Sequence, residues 1–219
     1  MLASEIIQTD FPQLNLTDEV DVALQLMDEL EVQHLPVINE ERFAGIISKN
    51  DLLHFEKSLP LSSLQHELIH SSVYFQHHFL SALKLASELN LSLVPVVNEA
   101  NELIGCISYR QMILKLSHFL NTEEPGGIIV LETQKHNFSF GEISRLIETN
   151  DAYITQLNTS ADELSGLLTV TIKINKTEIS DIIATLQRYE YSIKYYFGAE
   201  HYENEIKENY DLLMAYLRM

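Results

Sequence analysis

The chain has no tryptophan, one cysteine, five prolines and seven glycines in 219 residues. A lone cysteine excludes an internal disulfide framework, so burial and hydrogen bonding must hold the fold. Basic residues are also scarce. Fourteen Lys+Arg against 32 Asp+Glu give a formal net charge of -18, which repels phosphate backbones and anionic lipid surfaces. No nucleic acid and no membrane surface is therefore expected as a partner. Long apolar runs are missing too: the stretches Ile128 to Leu131 and Leu167 to Ile174 fall far short of the ~18 residues of a bilayer span. The opening MLASEIIQTD lacks a basic region followed by an apolar block, and a cytoplasmic protein is expected. Cys106 lies inside LIGCIS, which reads as a buried strand without the neighbouring positive charge that makes a thiolate reactive.

What is present is apolar mass and internal repetition. The length exceeds one typical domain, and a 46% hydrophobic share can fill two cores. LPVINE at 35 to 40 returns as VPVVNE at 94 to 99, an offset of 59 residues. VALQLMDELEV (22 to 32) aligns with SALKLASELNL (81 to 91) at the same offset, and AGIIS (44 to 48) with IGCIS (104 to 108) at 60. Each copy reads as an amphipathic helix with its apolar face at Val22, Leu26 and Leu30 or at Leu83, Ala86 and Leu89, an apolar strand, a polar Asn-Glu turn, a second apolar strand and a helix. Two such units should pack with pseudo-twofold symmetry and leave clefts between them.

These residues carry a resemblance. Leu35-Pro36-Val37-Ile38, Gly45-Ile46-Ile47-Ser48 and Asp51 in the first copy, with Val94-Pro95-Val96-Val97 and Gly105-Cys106-Ile107-Ser108 in the second, resemble a tandem pair of CBS domains, a Bateman module. The resemblance covers roughly residues 1 to 120, with copy one at about 1–60 and copy two at about 61–122. It implies a non-catalytic sensor, not an enzyme, that binds AMP, ADP, ATP or a related adenosyl compound in a cleft, with no further cofactor and no metal. In this family the Asp of Gly-x-x-Ser-x-x-Asp takes the ribose hydroxyls and the Ser with nearby amides faces phosphate. The implied site is Ser48, Asp51 and Lys49 with the strand residues Leu35, Pro36 and Val37. A weaker second cleft would use Ser108, Arg110 and Gln111, where Gln111 stands in place of the family's Asp. The same residues have a structural reading: Ser-x-x-Asp opens a helix as an N-cap with an acidic first turn, and Ser108-x-x-Gln111 is a capping box.

One motif points elsewhere. HELIH, His66 to His70, matches the helix that holds zinc in metalloproteases, where histidines four apart share a face and the glutamate polarises a water. Pro60 stands shortly before it and the apolar Val73-Tyr74-Phe75 shortly after, leaving room for a turn or two of helix. A connector between copies is the expectation; incidental metal binding by His66, His70, His77 and His78 is an alternative, and a zinc hydrolase, with Glu88 as a conceivable third ligand by separation alone, is the remote one.

After NTEEPGG (121 to 127) the pattern changes, marking a domain boundary. GIIVLETQ, AYITQLNT, LLTVTIKI and SIKYYFG read as strands, and SFGEISRLIETN and EISDIIATLQRYE as helices. The order βαββαβ is that of a ferredoxin-like sandwich. It resembles an ACT-type domain, and the whole chain resembles the acetoin-utilisation CBS-ACT proteins. The turn KHNFSFGEI lacks the Pro-Gly pair that many ACT domains use for amino acids, with Gly141 falling at the helix start. The tail YENEIKENYDLLMAYLRM reads as a last helix with Ile206, Leu213 and Leu217 on one stripe. The expected organisation is a CBS pair over 1–122 and an ACT-like domain with a C-terminal helix over 126–219, α/β followed by α+β. A homodimer acting on an unidentified regulated protein is expected, and an assembly module without a small ligand is the alternative.

Overall fold

The computed structural model describes residues 1–162, 165–199 and 214, and divides into two units, Met1–Leu116 and Ser117–Met219. Within the first unit the offset seen in the sequence governs backbone pairing. Copy one runs β1 (Leu14–Asn15), α1 (Val20–Glu29), β2 (His34–Asn39), β3 (Arg42–Ser48) and α2 (Lys49–Leu52). Copy two runs β4 (Val73–Tyr74), α3 (Phe79–Leu89), β5 (Leu93–Val97), β6 (Leu103–Ser108) and α4 (Tyr109–Phe119). The sheets have matching orders, β1-β2-β3 and β4-β5-β6, each with a parallel and an antiparallel pairing. Registers match as well: Leu14 opposite Val37 becomes Val73 opposite Val96, and the ladder irregularity after Val37 recurs after Val96. The short leading strand of each copy is an element that the apolar pattern alone does not announce.

The helices do not fully bury the faces read from the sequence: Val22, Leu30 and Leu89 are exposed, and the buried stripes lie mainly on neighbouring residues that include small alanines, which let helix and sheet approach closely. Val20, Ala23, Leu24 and Met27 of α1 pack with Leu35, Val37 and Ile47 in copy one's core. Phe79, Ala82 and Ala86 of α3 pack with Val94, Val96 and Ile107 in copy two's. Burying each large side chain of this kind contributes about 1.5–3 kcal/mol before the cost of ordering it. All five residues of β5 are buried, as expected of a central strand covered on both faces.

The copies also exchange their leading segments. Gln8 and Cys106 donate backbone bonds to each other at 2.8 and 3.1 Å, tying the chain's start to copy two. Ile46 and Ile69 do the same at 3.0 and 2.9 Å, tying the connector to copy one. Ala3 and Ile6 accordingly sit in copy two's core, and Leu61, Leu64 and Leu68 in copy one's. The two copies are thus repeats in sequence, while each packed core takes its leading segment from the other repeat.

The second unit runs β7 (Ile128–Gln134), α5 (Phe140–Glu148), β8 (Ile154–Ala161), β9 (Leu167–Ile174), α6 (Ser180–Arg188) and β10 (Ser192–Phe197). Its sheet order is β10-β7-β9-β8 with every neighbour antiparallel, the ferredoxin-like arrangement. Alternate residues Ile129 and Leu131, Val170 and Ile172 meet Ile143, Leu146 and Ile147 of α5 and Ile182, Ile183 and Leu186 of α6. Both helices therefore cover one face of the sheet. Gly141 lies in the first turn of α5. The expected C-terminal helix falls outside the described residues apart from Met214. Among the described residues no helix is long and apolar enough to cross a membrane.

The crossing segments make a test. A Cβ on Gly105 would stand 2.4 Å from the Gln8 carbonyl oxygen, whereas one on Gly141 meets nothing within 4 Å. Gly105→Ala should destabilise the first unit by about 1–3 kcal/mol through forced backbone displacement. Gly141→Ala should be neutral or stabilising by up to about 1 kcal/mol. Urea unfolding of both variants checks the contrast.

Candidate functional site

A cleft of about 520 Å³ opens between the two copies of the first unit, within the size range of small-ligand sites. Copy one supplies Gln33 and His34 from the start of β2, and Ser48, Asn50 and Asp51 from the β3–α2 junction. Copy two supplies Leu89 to Ser92, from the end of α3 to the start of β5, with Tyr109 from the start of α4; Ile69 of the connector completes the lining. Asn90 turns the chain with a positive φ of 51°, as Glu31 does in copy one at 54°. Asn tolerates that conformation well.

His34 joins the copies. Its Nδ1 accepts from the Ser92 backbone N–H at 3.1 Å and lies 2.9 Å from the Ser92 hydroxyl. A nitrogen that accepts an N–H carries no proton, so the ring proton is on Nε2. Burial pushes the His34 pKa below its ordinary 6.5, with the Asp51 charge partly offsetting this. Ser48 caps α2 by accepting from the Asn50 N–H at 3.2 Å, and Asp51 occupies the helix's third position.

The residues expected from the sequence divide accordingly. Ser48 and Asp51 line the cleft. Lys49 does not: its ammonium is paired with Asp28, and its backbone N–H donates to the Gln33 carbonyl at 2.8 Å. Leu35, Pro36 and Val37 are buried, with Leu35 and Val37 in copy one's core, so their side chains support β2 rather than line the cleft. In copy two, Ser108 N–H donates to Gln111 Oε1 at 3.2 Å and Gln111 N–H to Ser108 Oγ at 3.4 Å. That reciprocal capping box uses the groups expected to form the weaker site, while Arg110 is exposed on α4.

HELIH is not carried on one continuous helix. A 3-10 helix over Leu61–Glu67, kinked at Leu64, ends before Leu68, which is extended at φ -71°, ψ 130°. Ile69 then pairs with Ile46, and His70 Nδ1 bonds the Ala44 carbonyl at 2.7 Å. His66 and His70 therefore do not share a helical face. Cys106 is buried, which pushes its thiol up to about 12 and keeps it protonated at neutral pH.

His34, Ser92, Asn50 and Tyr109 were not singled out by the motif. His34 stands directly before LPVINE and is natural to read as a strand edge. Its partner Ser92 is 58 residues away, and only the packing of the copies reveals the pair.

The depressed His34 pKa has a stability consequence. Between its folded-state value and 6.5 the unfolded chain binds a proton that the folded chain does not, so stability falls as pH drops below about 6.5. His34→Gln removes this component. Urea midpoints of wild type and variant, compared from pH 7.5 down to 5.5, should show the larger loss in wild type.

The family model for the CBS domain matches residues 3–58. Among solved structures, a CBS domain pair/ACT domain protein from Thermotoga maritima is 24% identical with a TM-score of 0.50, covering 55% of this chain and 99% of that chain. A Vibrio cholerae protein named for acetoin utilization, AcuB, is 21% identical with a TM-score of 0.49, covering 57% and 98%. The cytosolic domain of the Mg²⁺ channel MgtE in complex with ATP is 15% identical with a TM-score of 0.45, covering 52% and 48%. At 24% identity the likeness to the Thermotoga maritima protein is one of fold alone. Residues 3–58 match the family model for the CBS domain, and the first unit shares the fold of a CBS domain pair.

Proposed function

We propose that this is a non-catalytic, cytoplasmic regulatory protein whose CBS pair, over residues 1–122, senses an adenine nucleotide or related adenosyl compound. The carrying observation is that Ser48 and Asp51 of copy one share a cleft with Ser92 and Tyr109 of copy two. A ligand there touches both repeats at once. A carboxylate accepts from two vicinal ribose hydroxyls, which is the role given to Asp51. Binding that is tighter in one relative arrangement of the copies shifts the population toward it, and that differential affinity is the signal. The ferredoxin-like unit, proposed as the ACT-like partner over 126–219, receives it.

The unit's sheet also supports the proposed homodimer. β8 and β10 are its edge strands, and β10 exposes Tyr195 and Phe197, whose rings lie 5.7 Å apart, while Tyr196 packs against the core. Edge hydrogen-bonding groups beside exposed aromatics suit pairing with a second copy.

Asp51→Ala should abolish the thermal shift given by an adenosyl ligand while the apo protein keeps its melting point within a few degrees, since a first-turn carboxylate contributes about 1 kcal/mol or less to its helix. At a hundredfold excess over Kd the wild type should gain about 2.7 kcal/mol, several degrees by scanning fluorimetry. Gln111→Ala should leave that shift in place. Equal shifts in wild type and the Asp51 variant would overturn the assignment. Light scattering on the full chain at tens of micromolar should give twice the 25.1 kDa chain mass; a monomer there refutes the dimer.

A further inference from the structure

We infer that the inter-copy cleft discriminates among adenosyl ligands by charge, preferring a ribonucleoside with no net negative charge, neutral or cationic, over a nucleoside polyphosphate. The inference rests on the nucleoside reading proposed above and narrows it.

Among the described residues the cleft's lining contains no lysine or arginine, and its one carboxylate is Asp51. A lysine and an arginine are adjacent in sequence to lining residues, and neither lines the cleft: Lys49 is engaged by Asp28, and Arg110 is exposed on α4. The counterpart of Lys49 in copy two, the residue after Ser108, is Tyr109, and it is this uncharged residue that lines the cleft. His34 adds no charge while its Nδ1 accepts the Ser92 N–H.

Backbone amides are the other means of holding phosphate, and four of those around the cleft already have acceptors. The Asn50 N–H donates to Ser48 Oγ at 3.2 Å and the Ser92 N–H to His34. The Tyr109 N–H donates to the Ser92 carbonyl and the Leu91 N–H to the Ala86 carbonyl, both at 2.9 Å. What the walls still offer is a carboxylate, hydroxyls and side-chain amides, which suit a ribose and a base. Three or four phosphate charges placed near Asp51, in a chain of net charge -18, meet repulsion without compensation.

Isothermal titration of the full chain with adenosine, S-adenosylmethionine, AMP, ADP and ATP in metal-free buffer tests this. At low salt ATP should bind about tenfold or more weakly than adenosine, a gap that narrows when salt screens the repulsion. The readout in variants is the adenosine-to-ATP affinity ratio, since absolute affinity also reports lost contacts. Y109K, which places a cation in the cleft, should shrink or invert the ratio, and D51N should shrink it. ATP binding as tightly as adenosine in the wild type, or a ratio unmoved by Y109K, would overturn the charge preference while leaving the adenosyl sensor standing. Binding of none of the five compounds would overturn the sensor reading itself, and this inference with it.

Discussion

Two reciprocal backbone pairs, Gln8 with Cys106 and Ile46 with Ile69, set the geometry of the first unit. Each ties the segment preceding one repeat to the second hairpin strand of the other. The copies are therefore not two domains resting side by side, because neither core is complete without residues from the other repeat. The exchange also requires close backbone approach. A Cβ on Gly45 would come within 2.8 Å of Leu68 Cβ, as one on Gly105 would crowd Gln8. The glycine at the same place in each copy is thus the local condition for the crossing segment to pass, and the crossing segment is the condition for the cleft.

This explains why the fold was legible while the contacts were not. An offset of 59 to 60 residues reports which residues are alike, and likeness transfers secondary structure and register directly: helix to helix, Val37 to Val96. It does not report which residues touch. The contact between His34 and Ser92 joins the end of one copy's turn to the corresponding region of its neighbour, a relation set by the symmetry operation rather than by either local pattern. The family motif pointed to Ser48 and Asp51, which lie on one junction and line the cleft. It also drew in Leu35, Pro36 and Val37, whose apolar character is what β2 needs to be buried on both faces. In the second unit, period-two strands and amphipathic helices were sufficient, since βαββαβ with short connections leaves few ways to order an antiparallel sheet.

HELIH illustrates the converse, a chemical pattern without the backbone it presupposes. The spacing puts two histidines on one face only if the chain stays helical through the second. Here Leu68 is spent filling copy one's core and Ile69 on pairing with Ile46, and both demand extended backbone. Tertiary pairing outweighs a local helical tendency that spans barely one turn.

A symmetric backbone need not make symmetric sites. Asp51 and Gln111 occupy the same helical position, third after the capping serine. Gln is one methylene longer, so its carbonyl oxygen reaches back to the Ser108 N–H and closes a capping box. Glu or Gln is the usual partner in such boxes, although an Asp can make the same reach, as Asp18 does to the Asn15 N–H at 2.7 Å. The Asp51 carboxylate instead lines the cleft, where its charge bears on His34. The polar group at this position thus turns inward to stabilise its own helix in copy two and faces the space between copies in copy one, and the chemistry of the pair becomes one-sided while its fold remains twofold.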